Sequence, residues 1–91
     1  AVLKKANLTD AVLAGADLKG AQLQRANLMR ADLKDADLTG AKLNKATLDG
    51  TDIKGAKFGG ADVTGVDFGG VKNLDAADLS GAVGYVPPPQ T

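Results

Sequence analysis

The 91-residue chain has no cysteine, no histidine, no tryptophan and no glutamate. Without Cys and His, disulfides, thiolate or imidazole metal sites and Cys- or His-based catalysis are excluded. Aromatic residues are nearly absent: Phe58, Phe68 and Tyr85 are the only three. Helix surfaces use Glu freely, so its absence beside eleven Asp favours turns. An excess of either charge is lacking too. Eleven Lys and Arg balance the eleven Asp, which removes any global pull toward nucleic acid or an anionic membrane. No apolar run approaches membrane-spanning length, and no charged-then-apolar leader is present. A soluble chain is expected, with its compartment left open. It begins at Ala1, already in register with the repeats and without Met, as a processed form or a fragment of a longer repeat protein would.

The chain is dominated by one five-residue unit said fourteen times. An apolar residue stands at position 3 and at every fifth position to 68. Ten of these are Leu, and the others are Ile53, Phe58, Val63 and Phe68. Two residues earlier stands Ala in twelve units, with Thr51 and Val66 in the other two. On an α-helix five steps turn about 500°, so the Leu row would wander round the helix and define no face. On a continuous strand an odd period would throw every second Leu outward. Every Leu is buried only if the chain turns a corner within each unit. Four quarter-turns close a square coil of about twenty residues, and coils stack at the strand spacing of about 4.8 Å.

The corner residues agree with that geometry. With the central apolar residue as i, position i+2 is Gly in eight of the fourteen units, which suits the positive-φ slot of a type II turn. Position i−1 is Asp or Asn in eight: Asn7, Asp17, Asn27, Asp32, Asp37, Asp52, Asp62 and Asp67. Such short side chains bond readily to nearby backbone groups at turns. Positions i−2 and i are therefore expected inside, and i−1, i+1 and i+2 outside.

Units such as Ala16-Asp17-Leu18-Lys19-Gly20 and Ala36-Asp37-Leu38-Thr39-Gly40 resemble the pentapeptide-repeat proteins, whose motif is A(D/N)LXX. The resemblance runs unbroken through 1–70 and returns at 77–81. It implies an all-β fold, a right-handed quadrilateral parallel β-helix of about four coils, in a family especially numerous in cyanobacteria. Some members of that family mimic duplex DNA and bind bacterial DNA gyrase, giving quinolone resistance. Those mimics are long, acidic and dimeric, whereas this chain is short and neutral.

The twenty-residue coil assigns columns. Leu3, Leu23, Leu43 and Val63 should stack on the first wall, and Leu8, Leu28, Leu48 and Phe68 on the second. Leu13, Leu33 and Ile53 fall on the third wall, and Leu18, Leu38 and Phe58 on the fourth. Beyond Gly70 the register slips, because Leu79 follows Phe68 by eleven residues instead of ten. A one-residue bulge is expected there, with a short helix from Leu74 to Ser80 capped by Asn73 as the competing reading. The domain is thus 1–86, with a register break and cap over 71–86. Val83, Tyr85 and Val86 are expected to fold over the open end, and 87–91 to form an extended Pro-rich tail.

Candidate chemistry is sparse. Asp32 and Asp52, or Asp17 and Asp37, should lie one coil apart, close enough to share a cation or a proton. The plainer expectation is that each satisfies its own turn. Asp35 to Gly40 begins like an EF-hand loop, but its twelfth position is Ala46, and Gly50 to Gly55 begins like a phosphate loop without its Lys-Ser/Thr. No catalytic, cofactor-binding or metal residue is assigned, and an enzyme is not expected. The outward charges do segregate. The first wall carries Lys4, Lys5, Arg25, Lys42 and Lys45 with one acid, Asp62, while the third is mixed. A solvated face is the plain reading of that wall, and a docking surface for an acidic partner is the functional one. Nucleic acid is disfavoured because aromatic residues for base stacking are lacking there. The expected role is a structural or protein-interaction module with an unknown protein partner, no membrane role, and end-to-end self-association as a second mode.

Overall fold

The computed structural model describes residues 2–88; Ala1 and the tail residues 89–91 lie outside the described residues, and with them most of the expected Pro-rich tail. Within that span the chain winds as a right-handed quadrilateral β-helix. In the regular units each wall pairs through position i−1, and all pairings are parallel. On the first wall Val2, Gln22, Lys42, Asp62 and Val83 pair in succession; on the third, Val12, Asp32, Asp52 and Lys72 do so. The second wall runs Asn7, Asn27, Thr47, and the fourth Asp17, Asp37, Lys57, Asp78. The twenty-residue columns read from the sequence are therefore those of the structure.

The five residues of a unit divide the backbone hydrogen bonds among themselves. In the unit Ala36 to Gly40, Ala36 N–H closes the preceding corner on Leu33 O at 3.0 Å, and Asp37 N–H donates to Ala16 O of the previous coil at 2.9 Å. Leu38 N–H reaches Lys57 O and Gly40 N–H reaches Gly59 O of the next coil, at 2.8 and 2.9 Å. The one N–H left over, that of Thr39, is taken by the Asp37 carboxylate at 3.0 Å. The same side-chain bond recurs at all eight Asn and Asp positions named above and again at Asp78. This is why the motif favours Asp or Asn at i−1: the short side chain gives the one N–H that no coil takes an acceptor within its own turn.

The corners follow the type II expectation. Position i+2 has positive φ in thirteen of the fourteen units, seven of them Gly and six not. The exception is Gly70. There Asp67 forms no pairing with Thr47, and the corner bond from Val71 N–H to Phe68 O stretches to 3.4 Å. Departure from the regular coil thus begins at the last repeat, just before the sequence itself slips.

The interior is a filled column. Leu23, Leu28, Leu33, Leu38, Leu43, Leu48, Ile53, Phe58 and Val63 are all at most 1% exposed. Each has Ala at i−2 except Ile53, which has Thr51. Ala fits because four walls converge on one narrow axis. Thr51 is fully buried in its Ala position and donates its hydroxyl to Leu28 O at 2.5 Å. The first coil is less enclosed: Leu3, Leu8 and Leu13 are half-buried.

The extra residue after Phe68 resolves the bulge-or-helix alternative in favour of a slip that takes the shape of a short 3-10 turn. Pairing offsets change from twenty at Asp52–Lys72 to twenty-one at Lys57–Asp78 and Asp62–Val83. The additional residue is absorbed in the three-residue turn Leu74–Ala76. Asn73 stands before it with φ 63° and makes no side-chain cap; its amide donates instead to Asp52 Oδ1 at 2.8 Å. A cap requires extended backbone at that residue, so the left-handed Asn73 cannot serve as one.

The expected lid is corrected at two of its three residues. Val83 continues the first-wall ladder against Asp62 and is 54% exposed, and Val86 is 71% exposed. Tyr85 alone packs onto the column, edge-to-face on Phe68 with centroids 5.1 Å apart, and Phe68 meets Phe58 at 6.2 Å. An aromatic ring covers more area than Val and matches the ring beneath it, so Tyr85 takes the end position.

Replacing Leu33 with Lys should abolish cooperative unfolding, because a charge at a fully buried column position has no solvated rotamer. Leu33→Ala should cost about 2–5 kcal/mol, whereas Lys34→Ala should leave the melting curve nearly unchanged. Thermal unfolding followed by circular dichroism checks all three.

Candidate interaction surface

The first wall is built from three outward rows. The i−1 row is Val2, Gln22, Lys42, Asp62; the i+1 row is Lys4, Gln24, Asn44, Thr64; the i+2 row is Lys5, Arg25, Lys45, Gly65. The structure therefore places all five basic residues singled out in the sequence, Lys4, Lys5, Arg25, Lys42 and Lys45, on one wall, and all five are exposed. They are not equivalent. Lys42 stands one coil from Asp62. Asp62 is held below the usual carboxylate range chiefly by the Thr64 hydroxyl, then by the Asn44 amide and the Thr64 N–H, with Lys42 adding attraction. Lys4 lies in the i+1 row, where the buried Gln24 Oε1 accepts no hydrogen bond among the described residues.

Lys5, Arg25 and Lys45 share a corner. Their φ values are 59°, 60° and 61°, a left-handed conformation that costs an L residue about 1–2 kcal/mol. Their N–H groups donate to Gln24, Asn44 and Thr64 of the following coils at 2.9, 2.9 and 3.0 Å. Their backbone positions are thus stacked one above another at a pitch of about 4.8 Å, and each carries a cation on a long side chain. Among the described residues none is within ion-pair distance of a carboxylate.

The second wall shows the contrast. At the same corner position Asp10 and Arg30 also have positive φ, 62° and 58°. They meet across one coil, Arg30 Nε to Asp10 Oδ1 at 2.9 Å and Nη2 to Oδ2 at 3.3 Å. This pair was not singled out in the sequence, although opposite charges twenty residues apart in one corner column were the available signal.

The stacked carboxylates resolve as turn residues. Asp32 and Asp52, and Asp17 and Asp37, do pair across coils, yet each accepts its own turn N–H. Lys34 stands 3.7 Å from Asp32. Hydrogen bonding holds Asp37 below the usual range through the Thr39 hydroxyl and N–H, and Asp52 through the Asn73 amide and Lys54 N–H. Among the described residues no three acidic groups gather as a metal ion would need, and no helix is long and apolar enough to cross a membrane.

A family model for pentapeptide repeats matches the chain in eight copies, over residues 1–35 and 31–70. The protein belongs to the pentapeptide-repeat family. Solved structures of the family are similar throughout the fold. A pentapeptide repeat protein from the cyanobacterium Cyanothece 51142 is 34% identical, with 85% of this chain and 52% of that one aligned at a TM-score of 0.81. One from Nostoc Pcc 7120 is 32% identical, covering 84% of this chain and 62% of that one at 0.79. A third, from the Arabidopsis thaliana thylakoid lumen, is 28% identical, covering 89% and 59% at 0.69. The chain thus spans less than two thirds of the length of each. No curated protein matches it in sequence.

In the folded pentapeptide-repeat chain Asp10, Asp37, Asp52, Asp62 and Asp78 all have lowered pKa values, set first by a hydrogen bond to the charged carboxylate. A folded value below the unfolded one, about 3.9, gives stability that is complete above the unfolded value and lost as pH falls through the folded one. The melting temperature should therefore hold from neutrality to about pH 5 and decline below about pH 4. Asp37→Asn, which keeps the acceptor for Thr39 N–H, should reduce the steepness of that decline in melts recorded across pH.

Proposed function

We propose that the protein is a non-enzymatic interaction module that binds an acidic protein partner through its first wall. The observation that carries this reading is the segregation of charge: five cations and one acid face outward from that wall in a chain whose formal net charge is zero. The rest of the chain then carries a net excess of acid, so the molecule has a basic side. Such asymmetry favours oriented encounter with a charged partner. The non-enzymatic part of this reading is supported by an interior filled with Ala and Leu side chains and by a sequence lacking His and Cys.

The gyrase-binding alternative draws no support from this surface. A duplex mimic presents continuous acid, whereas the regular corner here presents cations. End-to-end self-association would use the first coil, where Leu3, Leu8 and Leu13 are half-buried. Sedimentation equilibrium over a concentration series tests it, and a monomer throughout would remove it.

The test of the main reading is affinity capture from source-cell extract with the intact domain and with Lys4, Lys5, Arg25, Lys42 and Lys45 all changed to Glu, at low and high salt. The expected result is a partner held by the intact domain at low salt, released at high salt and absent from the variant. The same proteins on both baits would return the wall to a solvated face. Gyrase on either bait would restore the mimic.

A further inference from the structure

The row Lys5, Arg25, Lys45 stacks three cations in one corner column, and among the described residues none of them meets a carboxylate. Each residue holds a left-handed backbone with φ of 59°, 60° and 61° where Gly serves in seven other units. Each also faces a like charge one coil away, since their N–H groups lock them to successive coils. At the same position on the second wall, Asp10 and Arg30 answer one another in a bidentate pair. Lys42 has Asp62 one coil away. The left-handed corner is common to the fold, but a column of three like charges without a carboxylate partner is not something the coil itself requires.

The geometry of the row describes what fits it. It offers one cation per strand, at the strand spacing of about 4.8 Å. An extended acidic peptide repeats its same-face side chains about every 6.6–6.8 Å and falls out of step. Carboxylates borne one per strand across neighbouring β-strands repeat at the same pitch. A single-stranded nucleic acid would find no exposed ring on which to stack its bases among the described residues, since Phe58 and Phe68 are buried and Tyr85 packs on Phe68. Two preformed ladders also align without the entropy loss of ordering a flexible segment.

We propose that Lys5, Arg25 and Lys45 dock a β-structured partner whose carboxylates form a cross-strand ladder of the same pitch, laid along the stack axis. The inference rests on the first wall being a binding surface and narrows it to three of its five cations. Lys4 and Lys42 contribute general attraction only.

The chain itself supplies the probe. The variant Lys5→Glu/Arg25→Glu/Lys45→Glu carries three carboxylates at the same corners and pitch. Titrated against the unaltered chain in a calorimeter, it should form a one-to-one complex that weakens as salt is raised. The Gln triple variant in its place should bind about tenfold more weakly or worse. A disordered Gly/Ser peptide bearing three Glu residues should also bind more weakly than the ladder. If the triple-Glu chain loses its cooperative melt, Arg25→Glu/Lys45→Glu keeps carboxylates on adjacent coils and should give the same order. A peptide binding as tightly as the ladder would overturn the matched-pitch inference while leaving the basic wall as a binding surface. Binding to neither acidic probe would overturn both. A single-stranded oligonucleotide binding more tightly than the ladder would replace the protein partner with a nucleic acid.

Discussion

Every pentapeptide in this chain must find partners for five backbone N–H groups while turning through a right angle, and the rest of the structure depends on how it does so. In a middle coil three are taken by neighbouring coils and one by the corner itself. The fifth, on the residue after the central Leu, points away from all of them. In the eight units with Asp or Asn two residues earlier that side chain supplies its acceptor, as Asp37 does for Thr39. Units without such a side chain, among them those of Gln22, Lys42 and Lys57, pair in the same register, so the bonds between coils fix the walls and with them the column positions. Ala and Leu then fill the axis because little wider than Ala fits at i−2 beside a Leu from each wall. The Thr51 exception keeps the rule by giving its hydroxyl to Leu28 O.

Much of this is legible in the sequence because each requirement acts over a short span. A period of five excludes a helix face and a flat strand without any coordinates, and a twenty-residue coil then sets which residues stack. The parallel pairings of Gln22 with Lys42 or Asp32 with Asp52 follow directly. What is not legible depends on contacts between distant parts. Tyr85 covers the end because Phe68 offers a ring beneath it, while Val83 stays in the ladder because Asp62 offers it a strand edge. Asn73 reads as a helix cap, yet its left-handed backbone and its bond to Asp52 belong to the slip around Leu74–Ala76. The position of the five cations on the first wall follows from the repeat, but the distinction among them does not. It arises from backbone φ at Lys5, Arg25 and Lys45 and from the proximity of Asp62 to Lys42.

The same pattern sets what the surface presents. With the axis filled by apolar side chains, the charged side chains stand on the outward rows, which repeat at strand spacing. Elsewhere charges find partners: Asp10 with Arg30 in the second-wall corner, Asp32 with Lys34 in one unit, and Asp52 through a hydrogen bond from the Asn73 amide. The corner cations of the first wall meet no carboxylate among the described residues. The backbone that bears these charges is held in place by the coils, so the spacing of their attachment points is set by the scaffold. A neutral protein can in this way present a locally basic edge without the nonspecific attraction that a large net charge brings.

Residue-resolved amide hydrogen exchange on the intact chain tests the hydrogen-bond pattern on which the fold depends. Protection should show a period of five through the two middle coils. N–H groups at Ala36, Asp37, Leu38 and Gly40, and at their equivalents, should exchange slowly, and Thr39 and its equivalents faster, since their only acceptor is an exposed side chain. In the first coil Asn7, Val12 and Asp17, which donate to no other coil among the described residues, should exchange early. Protection spread evenly along 21–65, or following any period other than five, would contradict the coil and the ladder of cations built upon it.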